Sequence, residues 1–104
     1  MNRDEALDRL GQCRQRIDDI DIKILSLVNE RTLQVEEIGR IKQMLSMPIY
    51  EPKREDEVFR NVTENNTGPL PADAVHRVFE RIIDEMRTVQ RSRMMVDRRG
   101  SGEE

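Results

Sequence analysis

One apolar register runs through the first 45 residues in alternating steps of three and four. It reads Leu7, Leu10, Arg14, Ile17, Asp21, Ile24, Val28, Arg31, Val35, Ile38, Lys42 and Leu45. Such a spacing keeps every member on one face of an α-helix. No proline precedes Pro48. Gly11 and Gly39 are the weak points, each costing about 1 kcal/mol against alanine. Asn2-Arg-Asp-Glu5 has the form of a capping box at the start. The pattern predicts one helix over about residues 4–46, roughly 60 Å long at ~1.5 Å per residue. A helix of that length cannot fold back on itself and is too long for a compact domain of this size. It is therefore expected to pair with a second copy of the chain. Ile20, Leu27 and Ile41 add a second apolar row that widens the buried face beyond a simple two-stranded seam.

The rest of the chain reads as two shorter helices. Met47-Pro-Ile-Tyr-Glu-Pro52 breaks the first, and Pro52 suits the first position of the next. That second helix carries Glu55, Val58, Phe59 and Val62 on one face and stops at Asn65-Asn-Thr-Gly-Pro69. A third begins near Pro71, with Val75, Val78, Phe79, Ile82, Ile83, Met86, Val89 and Gln90 on its buried face. The expected fold is all-α, with a long, a short and a medium helix in one domain over 1–96. The polar stretch 97–104 reads as a disordered tail.

Composition narrows the function classes. Aromatic residues are 3% of the chain and charged residues 38%, and there is no tryptophan. The 18 basic and 21 acidic side chains are well mixed, so no face is set up for a nucleic-acid backbone. The basic cluster Arg87, Arg91, Arg93, Arg98 and Arg99 reads as a solvated helix end. One cysteine, Cys13, and one histidine, His76, rule out an internal disulfide and any Cys/His metal cluster. Both read as packing or surface residues. Nothing resembles a signal peptide or a membrane span, so a cytoplasmic location is expected.

The polar members of the long seam carry the functional signal. Arg14, Asp21, Arg31 and Lys42 sit where apolar side chains belong. One polar residue in a seam can set register. Four are too many, because a buried charge costs several kcal/mol unless it is paired. Asp21 can neutralise only one of the three cations, so the seam calls for an anion from outside. Arg31 and Lys42 are three turns apart, about 16 Å along the helix, within joint reach of a small dianion. Arg14 lies about 25 Å from Arg31 on the same helix. An antiparallel second copy would bring its own Arg14 alongside, making a shared site. Glu51 and Glu55 are one turn apart at the start of the second helix, where acids also suit the helix dipole and Glu51 can act as a cap. Gln90 lies on the apolar stripe of the third helix, or marks where that stripe reaches solvent.

Together these residues resemble a known family. Arg14-x6-Asp21, Leu27-Val-Asn-Glu-Arg31, Ile38-Gly-Arg-Ile-Lys42, Pro48-Ile-Tyr-Glu-Pro-Lys-Arg-Glu55 and Phe79-x10-Gln90 closely resemble the all-helical (AroQ-type) chorismate mutases, over about residues 7–90. The resemblance implies an intertwined homodimer of three-helix subunits with antiparallel long helices and two shared sites. It implies the Claisen rearrangement of chorismate to prephenate on the way to phenylalanine and tyrosine, with no cofactor and no metal. Arg31 and the other subunit's Arg14 would bind the carboxylates. Lys42 and Gln90 would donate to the ether oxygen. Glu55 would accept from the ring hydroxyl, with Glu51 near the same group. Two positions depart from the family pattern: Glu51 stands where Asp is commoner, and Met86 where some members have a carboxylate-binding serine. Methionine donates no hydrogen bond. Isochorismate pyruvate lyase, on the same fold, is the nearest alternative; a non-catalytic helical interaction module is another. A weakly active mutase activated by the first shikimate-pathway enzyme, DAHP synthase, is a third.

Overall fold

The computed structural model describes the backbone of residues 1–103 and the side chains of residues 1–93. It consists of three helices, α1 (Arg3–Met44), α2 (Pro52–Asn65) and α3 (Ala72–Glu103), with no strand among the described residues. These residues form two compact units, Met1–Leu33 and Gln34–Glu104.

The first unit is helix alone. Asn2 caps it: the Glu5 backbone N–H donates to Asn2 Oδ1 at 2.8 Å, and Asn2 Nδ2 donates to Glu5 Oε1 at 3.2 Å. The N-cap half of the expected capping box is formed, while Glu5 reaches back to the Asn2 side-chain amide rather than to its backbone N–H. Local side-chain bonds follow along the helix, such as Gln15 to Asp19 one turn on. The apolar register is open to solvent here, with Leu7 51%, Ile17 54% and Ile24 52% exposed. Arg14, Asp21 and Cys13 are exposed, and Arg31 is half-buried.

The second unit holds the core. The helix ends at Met44, two residues earlier than the pattern predicts, because Ser46 takes up a left-handed φ of 54°. The Met47 N–H then donates to Lys42 O (2.8 Å) and the Ser46 N–H to Gln43 O (3.3 Å). That pair of bonds is a Schellman cap, here built on serine where glycine is the usual choice. α2 begins at Pro52, as its fixed φ favours. Asn66 ends it: its backbone N–H returns to Thr63 O, and its side chain donates to Leu70 O and accepts from the Gly68 N–H. Gly68 has a φ of 77°, which glycine adopts at little cost.

α2 packs on α3. Val58, Phe59 and Val62 are half-buried, and Phe59 stacks on His76 with ring centroids 4.1 Å apart. His76 thus has the packing role expected of it. Val75, Ile83 and Met86 of α3 are buried to 6–7% exposure. Each such burial stabilises by about 1.5–3 kcal/mol. Val78, expected on this face, is 50% exposed. α3 continues past Val96 to Glu103. The polar tail expected over 97–104 has its side chains outside the described residues.

Candidate functional site

Among the described residues the buried polar side chains are Lys42, 8% exposed, and Gln90, 7% exposed. Both belong to the second unit. Lys42 stands in the last turn of α1, where a cation also complements the helix dipole. Its ammonium donates to Ile49 O at 2.9 Å and pairs with Glu51 Oε1 at 2.7 Å. The loop that closes α1 therefore folds back over this lysine. Of the two readings the sequence leaves open for Glu51, the capping one is not made: Glu51 is the N-cap residue of α2, yet its side chain makes no capping bond. A charge-assisted bond to a buried ammonium is stronger than one to a backbone N–H, and the carboxylate goes there.

Gln90 is not at a solvent boundary. Its Nε2 donates to Val35 O on α1 at 3.3 Å, and its Cγ lies where a side chain on Gly39 would meet it, 3.6 Å from an added Cβ. Gly39 is itself buried. The glutamine thus spans from α3 to α1, reaching the turns of α1 that lead into Lys42. Met86, one turn before Gln90, is part of the apolar core.

Glu55 lies in the first turn of α2 with its side chain 21% exposed. Its Oε2 is 3.6 Å from Arg87 Nε. Arg87 also pairs with Asp84 and lies 5.5 Å from the centre of the Tyr50 ring. Arg87 is the residue that the sequence pattern conceals. It reads there as part of a solvated helix end, but its side chain is 28% exposed and its Nε is buried. The available signal is its position, three residues before Gln90 and next to Met86. Arg93 reaches Glu36 Oε2 at 2.7 Å while itself 63% exposed. Of that basic cluster, Arg98 and Arg99 lie outside the described side chains.

The second unit therefore holds Lys42 paired with Glu51, Gln90 bonded to Val35 O and Glu55 beside Arg87, with Met86 in its apolar core. Arg14 and Arg31 belong to the first unit. Among the described residues no three His, Cys, Asp or Glu side chains are grouped to hold a metal ion, and no helix is long and apolar enough to cross a membrane.

The three helices have the fold of the all-helical chorismate mutases. The chorismate mutase (form II) of Thermus thermophilus superposes with a TM-score of 0.78 and 34% identity, over 80% of this chain and 94% of that one. The chorismate mutase of Helicobacter pylori, solved in complex with prephenate, gives a TM-score of 0.79 and 25% identity, over 85% of this chain and 96% of that one. The chain belongs to the chorismate mutase type II family, whose model matches residues 13–91. It is 40% identical over 78 residues to the bifunctional chorismate mutase/prephenate dehydratase of Neisseria gonorrhoeae, covering 75% of this chain. It spans only 21% of the length of that relative. It is also 36% identical over 56 residues to the chorismate mutase of Methanocaldococcus jannaschii, covering 54% of this chain and 57% of that protein.

Proposed function

We propose that the chain converts chorismate to prephenate by an intramolecular Claisen rearrangement. The observation that carries the reading is Lys42: an ammonium buried to 8% exposure in the last turn of a helix. Burying a lysine is costly unless the charge is used. Two of its three donors are engaged by Ile49 O and Glu51. The third remains for an incoming acceptor. Gln90 likewise engages one amide hydrogen at Val35 O and keeps a second.

The reaction breaks an ether C–O bond as a C–C bond forms. It moves no proton and needs no nucleophile. What the protein supplies is a fixed reactive conformer and donors aimed at the oxygen where negative charge grows. Lys42 and Gln90 take that role. Arg31 binds a carboxylate through its guanidinium fork. Glu55 accepts from the ring hydroxyl, and Glu51 lies near the same group. Met86 lines the apolar floor.

The functional unit in this reading is a homodimer with antiparallel long helices, in which Arg14 of each subunit completes the other's site. Support comes from the first unit, a helix whose apolar register is half exposed along its length. A lone helix of this kind gains most of its stability from covering such a face.

The test is loss of chorismate absorbance on adding the purified chain, with Lys42→Ala in parallel and isochorismate as a second substrate. Prephenate is the expected product, and Lys42→Ala lowers kcat by about 10²–10³-fold, the size of losing one oriented donor. Pyruvate release from isochorismate with no prephenate from chorismate would identify a lyase instead. Turnover that appears only on adding DAHP synthase would identify an activated subunit.

A further inference from the structure

The proposed mechanism leaves Arg87 unused, and its surroundings are unusual. Its Nε is buried and makes no hydrogen bond. Leaving a buried N–H unpaired is unfavourable. The atom nearest to serving it is Glu55 Oε2 at 3.6 Å, inside ion-pair range but beyond a hydrogen bond. The other end of the guanidinium is held, with Nη2 on Asp84 one turn back along α3 and its central carbon 5.5 Å from the Tyr50 ring centre. Arg87 is thus held by Asp84 and Tyr50, and its remaining contact is with the carboxylate in the first turn of α2.

From this we infer that Arg87 is a positioning residue for Glu55, an assignment that rests on the mutase reading above. Its chemistry answers a specific difficulty. Glu55 is an anion placed next to a dianionic substrate, and like charges at short range repel strongly where solvent is thin. The Arg87 guanidinium offsets that charge from the far side and holds Oε2. It leaves Oε1 to accept from the substrate hydroxyl. A closing movement of a few tenths of an ångström turns the 3.6 Å approach into a hydrogen bond and satisfies Nε. Arg87 touches no reacting atom. It acts through Glu55 on binding, so its loss raises KM rather than lowering kcat.

The experiment is a double-mutant cycle read as steady-state kinetics with chorismate, using Arg87→Met, Arg87→Lys, Glu55→Gln and the Arg87→Met/Glu55→Gln pair. Arg87→Met is expected to raise KM about tenfold with kcat changed less than about threefold, and Arg87→Lys, which keeps the charge, to restore most of the loss. In the Glu55→Gln background Arg87→Met is expected to change KM by less than about twofold, because the charge it offsets is gone. Effects that multiply in the pair, or an Arg87→Met enzyme with wild-type KM, overturn the assignment while leaving the mutase reading intact. A wild-type chain that does not turn over chorismate overturns both.

Discussion

The two units of this protein continue one heptad-like pattern but satisfy it differently. In Gln34–Glu104 the register is met in part by the same chain, although Ile38 and Leu45 stay 45% and 62% exposed. Lys42 is covered by the loop carrying Ile49 and Glu51, and Gly39 by Gln90 of α3. In Met1–Leu33 the same register shows Leu7, Ile17 and Ile24 at 51–54% exposure, and side-chain bonds such as Arg9 to Gln12 and Gln15 to Asp19 join neighbours on one helix. A hydrophobic repeat states that a face is to be covered. It does not state what covers it. Where the chain supplies the cover, polar members of the seam are held by named partners. Where it does not, the exposed apolar face is the physical ground for proposing a second subunit.

The sharpest way to break this comparison is through Arg14, an exposed side chain of the first unit. If a second subunit brings it into the site, Arg14→Ala lowers kcat/KM by about 10²-fold, as loss of a carboxylate fork should. Unfolding and refolding Arg14→Ala together with Lys42→Ala then restores about a quarter of wild-type activity, because half of the randomly paired dimers carry one intact site. No restoration on mixing would show that each chain uses its own arginine or none.

A change in the apolar register tests the same division through stability. Ile17→Asp on a lone solvated helix would shift stability by no more than about 0.5 kcal/mol. With the face covered by a second copy it costs about 3 kcal/mol or more, since the carboxylate is buried unpaired. Sedimentation velocity and denaturant unfolding read the two outcomes directly: a dissociated, less stable variant supports the paired face, and an unchanged one removes it. The smallest effect lies in the second unit and is purely local. Ser46→Gly relieves a left-handed φ of 54° at the end of α1 and is expected to stabilise by about 0.5–1 kcal/mol. The guanidinium midpoint should rise with an unchanged slope; a fall would mean that the Ser46 side chain contributes more than its backbone strain costs.

Much of the architecture is legible without coordinates. The three helices, the Asn2–Glu5 cap, Pro52 at the start of α2 and the stop after Asn65 all follow from local rules, because caps, proline and hydrophobic period act over a few residues. The end of α1 falls two residues before the pattern's own limit because a left-handed serine is a rare terminator with no strong local signature. The site divides along the same line. Lys42 stands out because a cation interrupts an apolar repeat, an anomaly visible in one dimension. Glu51 is readable only as one of two alternatives, cap or site. The choice depends on whether a buried ammonium lies within reach, and its pairing with Lys42 shows why the cap is not made.

By itself the sequence determined the periodicity, the breaks and the charges placed against the grain of that periodicity. These are properties of a residue and its near neighbours along the chain. The tertiary structure decided which side chains meet. Gln90 reaches Val35 across 55 residues of chain, and Arg87 leaves its apparent place at a solvated helix end to face Glu55 and Tyr50. An arginine on a helix has the same local signature whether its far end meets water or a carboxylate. Only the packing of α3 against α2 separates the two cases, because it removes water from Arg87 Nε and brings Glu55 to its side.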